Sequence, residues 1–598
     1  MGKDRQVIQA QAEAQGHGKR ARAALALASV AALMACSTGA GLSQPASAVR
    51  IKVNQVGFLP GSAKWAVIPN VAATSFHLVK AGTDTEVFRG VMSAPATWEP
   101  AQESVRLADF SALSTPGTYR IRVDGLADSY SFTIAADAYA ALNAASIKAF
   151  YYNRSGTALL SEHAGMYARA AGHPDTRVLV HDSAASPARP AGTVIPSPKG
   201  WYDAGDYNKY IVNSGISTYT LLAAYEHFPA FFQKQTLNLP ESGNAIPDLL
   251  NEALWNLDWM LTMQDPSDGG VYHKLTNKSF DGFVMPDRAT SPRYVVQKTT
   301  AAALDFAAVM ATASRVFRAF EPQRPGLSPR MLAAAESAWQ WARAHPSAVY
   351  RQPDDIHTGD YSDSNLSDEF AWAAAELYIS TGNDAYYAAM NPAQVPNAVP
   401  SWIGVNGLAW VSLAHHRHHL TAVADQRLIA ERITTLAAGL EAAWQSSAYR
   451  VSMRLNDFNW GSNGAALNQA IMLIQGYRLN GTRSQLDAAQ ALLDYALGRN
   501  AIDTSMVTGF GERPTLHPHH RVSEADGIAA PIPGLLAGGP NPGQPDANKC
   551  PAAYPSSVPA KSYLDHVCSY ASNEVAINWN APLVYVSAAL QVLTGKAP

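Results

Sequence analysis

The sequence has 598 residues and a formal net charge of −3, from 45 basic and 48 acidic side chains. Charged residues make up 16% and hydrophobic residues 47% of the chain, a balance that excludes a disordered, collagen-like or coiled-coil protein. The near-neutral charge and the lack of a long basic run argue against a nucleic-acid-binding protein. At about 150 residues per domain, the length allows up to four domains.

The first 48 residues are predicted to form a leader (residues 1–48). Basic residues precede an apolar run, 23–35, which is too short to span a bilayer as a helix but is typical of a signal-peptide core. The run ends at Cys36 in a sequence that resembles a bacterial lipoprotein cleavage box, and residues 46–48 offer an ordinary cleavage site as the alternative. We therefore expect an exported protein, either periplasmic or anchored to a membrane through a lipid on Cys36, with secretion as the alternative.

Residues 49–136 are predicted to form a small β-sandwich. Apolar and polar residues alternate over Ile51–Val56 and again over Tyr119–Val123, and glycine and proline supply turns between such segments. Short alternating strands over roughly 85 residues indicate a small β-sandwich.

Residues 137–598 are predicted to form one large all-α unit, without a further run of strands. Paired helices that close into a toroid fit the number of segments. Apolar residues recur at helical spacing in nine segments: Ala140–Phe150, Leu221–Phe228, Glu252–Met263, Thr299–Phe317, Ser328–Ala344, Asp368–Ser380, Ala422–Trp444, Ala465–Leu479 and Ser484–Leu497.

Two cysteines follow the leader, Cys550 and Cys568. In an oxidising compartment they would form one disulfide across a Pro/Gly-rich loop, with two free buried thiols as the alternative. Two cysteines alone do not make a zinc site.

The segment Gly200–Tyr210 carries the first chemical signal. Asp203 and Asp206 stand on either side of an Ala-Gly turn, among aromatic residues. Aromatic rings stack on the apolar faces of sugars, and hydrolysis of a glycosidic bond needs carboxylates. Gly205 permits a tight backbone, so that both carboxylates can face one water molecule. In isolation, the same pattern would more simply be a turn capped by aspartates.

Two further motifs lie near the C-terminus. In Tyr563–Ala581, Glu574 begins an apolar, helix-like stretch and has Tyr570 one turn earlier. An acid among aromatic side chains can have a raised pKa and donate a proton, although a helix-capping glutamate is the simpler interpretation. Ser505–Arg521 is a Gly/Pro-rich loop whose histidines and arginines can hold sugar hydroxyls or, alternatively, a metal.

Taken together, Trp201–Tyr210, Ser505–Arg521 and Tyr563–Ala581 resemble the three signature segments of glycoside hydrolase family 9, the inverting cellulases. Ile51–Pro60 resembles the immunoglobulin-like domain that precedes the catalytic domain in one branch of that family. The resemblance covers nearly the whole chain after the leader. It implies a mainly α protein, in which an (α/α)6 barrel catalytic domain follows a small immunoglobulin-like β-sandwich.

The resemblance also implies roles for the acidic residues. Asp206 is the general base that activates water, Asp203 helps to hold that water, and Glu574 is the general acid. An inverting enzyme keeps its acid and base roughly 6.5–9.5 Å apart to leave space for the water. The residues that match sugar-binding positions of the family are His519, Arg521 and Tyr570.

The implied activity is that of an endo-β-1,4-glucanase on cellulose or related β-glucans. An exo-acting glucosidase, cellobiohydrolase or glucosaminidase is the alternative, because the same acid and base serve both modes of cleavage. The expected partner is a β-glucan or cello-oligosaccharide, and the enzyme is expected to be a monomer.

Four other residues are weaker candidates. Trp460 precedes a Gly/Asn-rich loop, and His273 lies in a segment that resembles a family loop near the cleft, so both are candidates for sugar binding. Asp368 and Glu369 supply oxygen ligands of the kind calcium uses, and related enzymes often hold structural calcium. The same acids are also common at a helix N-terminus. No cofactor is expected for the chemistry itself.

Two hypotheses come from other classes of protein. A zinc hydrolase would use His415–His419, whose spacing permits a metal site on a helix, although a solvated cluster is the simpler interpretation. A carbohydrate-binding protein without catalysis is disfavoured because all three acids are present.

Overall fold

The computed structural model describes residues 50–595; the predicted leader and Cys36 lie outside them. The first described domain is a sandwich of two sheets with strand orders β1-β8-β7-β3-β4 and β2-β6-β5. Its strands are β1 (Gly57–Phe58), β2 (Trp65–Pro69), β3 (Ser75–Lys80), β4 (Glu86–Val91), β5 (Ala96–Trp98), β6 (Glu103–Asp109), β7 (Gly117–Arg122) and β8 (Phe132–Ile134).

The alternation of apolar residues explains the core of the sandwich. In β7, Tyr119 and Ile121 point inward and are buried, while their neighbours are partly or fully exposed. Three phenylalanines fill the centre: the ring of Phe58 lies 5.4 Å from those of Phe110 and Phe132, nearly perpendicular to both.

The strand predicted over Ile51–Val56 is wrong for most of its length. Lys52 alone bridges to Val67, in β2. Farther along, Asn54 donates to Asp494 at 2.9 Å, and the Gln55 amide donates to the Leu497 carbonyl at 2.9 Å. The alternating pattern therefore reflects a segment whose polar side is buried against the helical domain.

The rest of the described chain contains twelve helices of seven residues or more, arranged in two rings. In the inner ring, each helix contacts the next until the ring closes. The inner helices are Ile211–His227, Thr300–Phe317, Ser367–Thr381, Asn406–His416, Ser462–Asn480 and Ile577–Thr594. The outer helices are Ala140–Tyr152, Asp248–Thr262, Leu327–Ala344, Asp384–Met390, Gln426–Ser446 and Arg483–Ala496. The rings form the predicted (α/α)6 barrel.

Inner and outer helices differ in burial, and this difference limits what periodicity can reveal. The outer helix Gln426–Ser446 buries one stripe that includes Ile429, Ile433 and Ala437, as an amphipathic pattern requires. The inner helix Thr300–Phe317 is buried nearly all round. The segment Thr300–Phe320 is long and apolar enough to cross a membrane, but its apolar window is 94% buried inside the protein, so it is a core helix.

Two helix predictions need correction. The helix expected at Leu221–Phe228 in fact begins at Ile211. The prediction missed its first half because that half buries polar residues such as Asn213, which interrupt the apolar pattern. The helical histidine spacing of His415–His419 is wrong, since the α-helix ends at His416 and a 3-10 turn follows.

A third sheet lies next to the helices, where the sequence predicted no strands. Its strand order is β10-β9-β13-β12-β11. The strands are β9 (Val178–Val180), β10 (Val194–Ile195), β11 (Lys209–Tyr210), β12 (Lys274–Thr276) and β13 (Tyr294–Val295). Strands of two or three residues are too short to show an alternating pattern.

The sandwich contacts the loop that leads to His519. Gln55 Oε1 accepts a hydrogen bond of 2.8 Å from the Arg513 amide, and Glu512 accepts one of 3.0 Å from the Ser131 amide. The immunoglobulin-like domain therefore helps to fix a loop of the catalytic domain.

Candidate active site

Three loops that are far apart in the sequence meet at the N-terminal ends of two inner helices. The Ile577 amide donates to the Asp203 carbonyl at 2.9 Å, which joins the first motif to the start of the last helix. The Arg521 amide and its Nη1 both donate to the Gly205 carbonyl, at 3.1 and 2.7 Å. The convergence predicted for the three motifs is therefore present in the fold.

Gly205 is required by a close approach. A Cβ atom at this position would lie 2.3 Å from the His519 carbonyl oxygen and 3.2 Å from Glu574 Oε1. His519 also pairs with Glu574 across a short parallel bridge, through the His519 amide and the Asn573 carbonyl at 2.9 Å. Any larger residue at 205 would push the acid and the histidine away from the aspartate turn.

Asp206 keeps one carboxylate oxygen free. Its Oδ2 accepts hydrogen bonds from Asn208 Nδ2 at 2.5 Å and from Tyr210 Oη at 3.2 Å. Within residues 50–595, no donor is paired with its Oδ1. A carboxylate with one anchored and one free oxygen is suited to accept a proton from water.

Both carboxylate oxygens of Asp203 are held. Oδ1 accepts from Asn213 at 2.7 Å and Oδ2 accepts from Tyr361 at 2.7 Å. Burial and the nearby charge of Asp206 raise the pKa of Asp203 to about 8, although both hydrogen bonds oppose that rise. The geometry gives Asp203 a fixed position beside Asp206.

Tyr361 is a site residue that the sequence analysis missed. It has a positive φ of 47°, which is uncommon for tyrosine. Its ring lies 4.7 Å from that of Tyr210 and 5.0 Å from that of Trp402. The residue stands in a loop without periodicity, so no sequence signal marked it.

Glu574 is placed in an environment that favours its protonated form. Burial raises its pKa to about 8, and the charges of Asp206 and Asp203 add to the effect, while Arg521 opposes it. The carboxyl group is therefore mostly protonated at neutral pH. A protonated acid beside the Asp206 side chain is what a proton donor to a leaving oxygen requires.

His519 offers a neutral ring to the site. Burial lowers its pKa to about 4. Its Nδ1 lies 2.5 Å from the Val567 carbonyl oxygen, and because a carbonyl oxygen can only accept, Nδ1 carries the proton. Nε2 is then left as an acceptor for a hydroxyl group.

Aromatic rings continue from His519. The ring of Tyr570 lies 6.0 Å from that of His519, and Trp460 lies 5.4 Å from Tyr570. Trp460 is 48% exposed, which is high for so large an apolar side chain. The structure therefore brings three of the candidate sugar-binding residues together.

The structure does not bring His273 to the surface of the site. Its side chain is 1% exposed, and its ring stacks on Tyr350 at 4.0 Å. Nδ1 is bonded to Thr299 and Nε2 to the Asp360 carbonyl. Both ring nitrogens already form hydrogen bonds within the protein, so the prediction that they contact a sugar directly is wrong. His273 instead helps to hold the segment that carries Tyr361.

Asp368 and Glu369 lie in a buried group of acids that includes Asp305 and Asp363. Burial and the mutual repulsion of these acids raise the pKa values of Asp305 and Glu369 well above normal. Six of their carboxylate oxygens are buried without a hydrogen-bond partner within residues 50–595. In the same part of the chain, no three His, Cys, Asp or Glu side chains are spaced closely enough to enclose an ion by themselves.

The histidine segment forms no metal site in the described part of the chain. Arg478 points its guanidinium at His415 Nδ1, at 3.0 Å, and at His227 Nδ1, at 2.7 Å. A cation already occupies the space next to these ring nitrogens. Arg478 therefore stands where a metal ion bound to His415 would have to lie, which argues against the zinc hydrolase hypothesis.

Cys550 and Cys568 form a disulfide, with their Cα atoms 5.2 Å apart. The bond closes residues 551–567, a loop with three prolines, onto the segment that leads to Tyr570 and Glu574. Lys549, beside the first cysteine, lies 3.2 Å from Tyr570 Oη. The loop therefore borders the aromatic side of the site.

Comparisons with known proteins agree with this geometry. The model of glycosyl hydrolase family 9 matches residues 139–587, and the model of the cellulase N-terminal Ig-like domain matches residues 46–128.

Similar proteins match along most of the chain. A xyloglucan-specific endo-beta-1,4-glucanase of Bacteroides ovatus is 44% identical over 558 residues, covering 91% of this chain and 94% of the relative. Endoglucanase D of Acetivibrio thermocellus is 32% identical over 546 residues, covering 90% and 83%. A solved family 9 structure from Bacteroides ovatus superimposes with a TM-score of 0.85 at 42% identity, covering 91% of this chain and 99% of that one.

These matches confirm the predicted fold class and the predicted glycosidase activity of the endo-β-1,4-glucanase type. By its sequence, its two domains and its structural neighbours, the chain belongs to glycosyl hydrolase family 9.

Proposed function

We propose that the enzyme hydrolyses β-1,4-glucosidic bonds with inversion, using Asp206 as general base and Glu574 as general acid. The convergence of the three motifs on Gly205 carries this proposal, because it brings Glu574 next to the turn that carries Asp206, close enough for the charge of Asp206 to raise the pKa of Glu574. Asp206 removes a proton from water through its free Oδ1, and the water oxygen forms a bond to the anomeric carbon. The glycosidic bond breaks, and the leaving oxygen takes the proton of Glu574.

Asp203 is a positioning residue in this scheme. With both oxygens held by Asn213 and Tyr361, it has little freedom to replace Asp206 as base. It helps to orient the water and keeps a second acidic group beside Asp206, which favours the protonated form of Glu574.

The substrate is a glucan with a β-1,4-linked backbone, bound along the rings of His519, Tyr570 and Trp460. We propose xyloglucan among the preferred glucans, supported by the 44% identity to a relative named for that specificity. Endo action predicts that the viscosity of a soluble glucan falls early, while reducing sugar accumulates slowly. Steady release of one small sugar from chain ends would favour the exo alternative instead.

The decisive experiment removes each acid without changing its shape. Glu574→Gln and Asp206→Asn are expected to lose about a hundredfold to ten-thousandfold in kcat and to keep the folded state, since general acid–base groups typically contribute about 10²–10⁴-fold each. Asp124→Asn, an exposed turn residue of the sandwich, is the control with native activity. Near-normal turnover in either site variant would overturn the assignment.

We also propose that a structural calcium ion binds near Asp305, Asp363, Asp368 and Glu369. Their buried oxygens without partners support this proposal, because isolated carboxylates are rarely buried unpaired. Calcium also accepts backbone and hydroxyl oxygens, so side-chain carboxylates need not complete the shell. Metal analysis of the purified protein should find about one calcium per chain. Asp368→Asn should lower both the calcium content and Tm. A metal-free protein whose Tm does not change with EDTA or with added calcium would refute the site.

Finally, we propose that the enzyme is exported, anchored through a lipid on Cys36, and active as a monomer. The leader pattern supports the first two parts. Mass spectrometry of the mature N-terminus should find a modified Cys36, and Cys36→Ser should release activity from the membrane fraction; cleavage near residue 48 without a lipid would contradict the anchor. Sedimentation should give a mass close to 63.9 kDa less the leader.

A further inference from the structure

The segment Lys278–Pro286, called here the aromatic loop, exposes two phenylalanine rings beside the active site. It follows β12 and precedes β13 in the third sheet. Phe280 is 47% exposed and Phe283 is 42% exposed. Large apolar side chains are usually buried, so two half-exposed rings three residues apart are typical of a binding surface.

The aromatic loop is fixed to the catalytic motifs. Tyr207, next to Asp206, donates through its hydroxyl group to the Val284 carbonyl at 2.6 Å. Arg521 Nε donates to the Asp281 carbonyl at 2.8 Å, while its Nη1 holds Gly205. The two rings are therefore held in place relative to the acids, as a pre-formed binding surface requires.

The rings also touch the side chains that line the site. The ring of Phe283 meets that of His519 edge to face, at 5.4 Å and 84°. The Arg521 guanidinium lies over both Phe280 and Phe283, at 5.5 and 5.4 Å. His519 thus joins two aromatic groups: Phe283 in the aromatic loop, and Tyr570, which leads on to Trp460.

We propose that the aromatic loop is a sugar-binding platform, on which Phe283, supported by Phe280, packs against a pyranose ring of the bound glucan. A pyranose ring has an apolar face that stacks on an aromatic ring, while its hydroxyl groups reach neighbouring polar atoms. Here those polar atoms are His519 Nε2 and the guanidinium of Arg521. This assignment rests on the proposed function, because it places the platform next to the bond that is cut.

Binding without turnover tests the platform directly. In a Glu574→Gln protein, titration calorimetry would measure the Kd of cello-oligosaccharides and of xyloglucan oligosaccharides. Adding Phe283→Ala is expected to weaken binding about tenfold, the scale of one aromatic contact. Phe283→Tyr should bind like the starting protein, whereas Phe283→Leu, which keeps the apolar bulk but not the flat ring, should resemble alanine.

The controls separate the possible failures. Val91→Ala, at an 80% exposed position of the sandwich, should leave Kd unchanged. Equal affinities of the Ala, Leu and Tyr variants, each with native Tm, would overturn the platform while leaving the proposed function intact. If the Glu574→Gln protein itself binds no glucan, the proposed function and the platform fail together.

Discussion

Tyr361 donates a hydrogen bond of 2.7 Å to Asp203 across 158 residues of sequence. This bond fixes the second carboxylate of the site from a loop that none of the three motifs contains. The ring of Tyr361 also contacts the ring of Tyr210, whose hydroxyl group donates a hydrogen bond to Asp206. One side chain therefore supports both aspartates.

Replacing Tyr361 by phenylalanine tests this support. We expect Tyr361→Phe to lower kcat about twofold to tenfold with little change in KM, because a hydrogen bond to a group that is mostly neutral contributes about 0.5–1.5 kcal/mol. The pKa of Asp203 should rise, since the lost bond opposes its protonation. The matched control is Tyr350→Phe, whose hydroxyl group bonds to Gln352 instead; equal kcat values for the two variants would contradict the role.

The pH dependence of kcat/KM should report the protonation of Glu574 in the free enzyme. Because this acid must carry its proton, and its pKa is raised to about 8, activity should fall as the pH rises through about 8. Arg521 lowers this pKa, so Arg521→Gln should move the alkaline limb to higher pH, whereas Arg521→Lys keeps the charge and should leave it nearly unchanged. An alkaline limb that stays in place in both variants would show that another group sets it.

The same pKa shift predicts a pH-dependent stability. The pKa of Glu574 is higher in the folded protein than its ordinary value of 4.5, so its contribution to stability is present at low pH and is lost as the pH rises from about 4.5 to 8. Glu574→Gln removes the ionisation. We expect the Tm of Glu574→Gln to match that of the native enzyme at pH 5 and to exceed it at pH 8. Calorimetry measures both values, with Asp124→Asn as the control. A Tm difference that does not change with pH would contradict the burial argument.

The sequence allowed the reacting groups to be predicted, but not all of the site around them. Asp203, Asp206 and Glu574 stand in motifs that resemble signature segments of the family, and this resemblance, together with helical spacing in both inner and outer helices, predicted the barrel. Tyr361 and Phe283 lie in irregular loops, where neither periodicity nor a turn signal operates. Their roles arise only from contacts over long sequence distances, which local patterns cannot express.

The contact between the sandwich and the catalytic loop gives a final prediction. Gln55 is buried, accepts from the Arg513 amide at 2.8 Å and donates to the Asp503 carbonyl at 3.2 Å. Gln55→Ala leaves both groups without their partner, at a cost of about 1–3 kcal/mol each where water cannot replace it. Because Arg513 precedes His519 in the same loop, we expect a lower Tm together with a several-fold lower kcat/KM on oligosaccharides. Asn70→Ala, at an exposed position of the sandwich, is the control. A Gln55→Ala protein with lower Tm but native kcat/KM would show that the sandwich stabilises the barrel without positioning the loop.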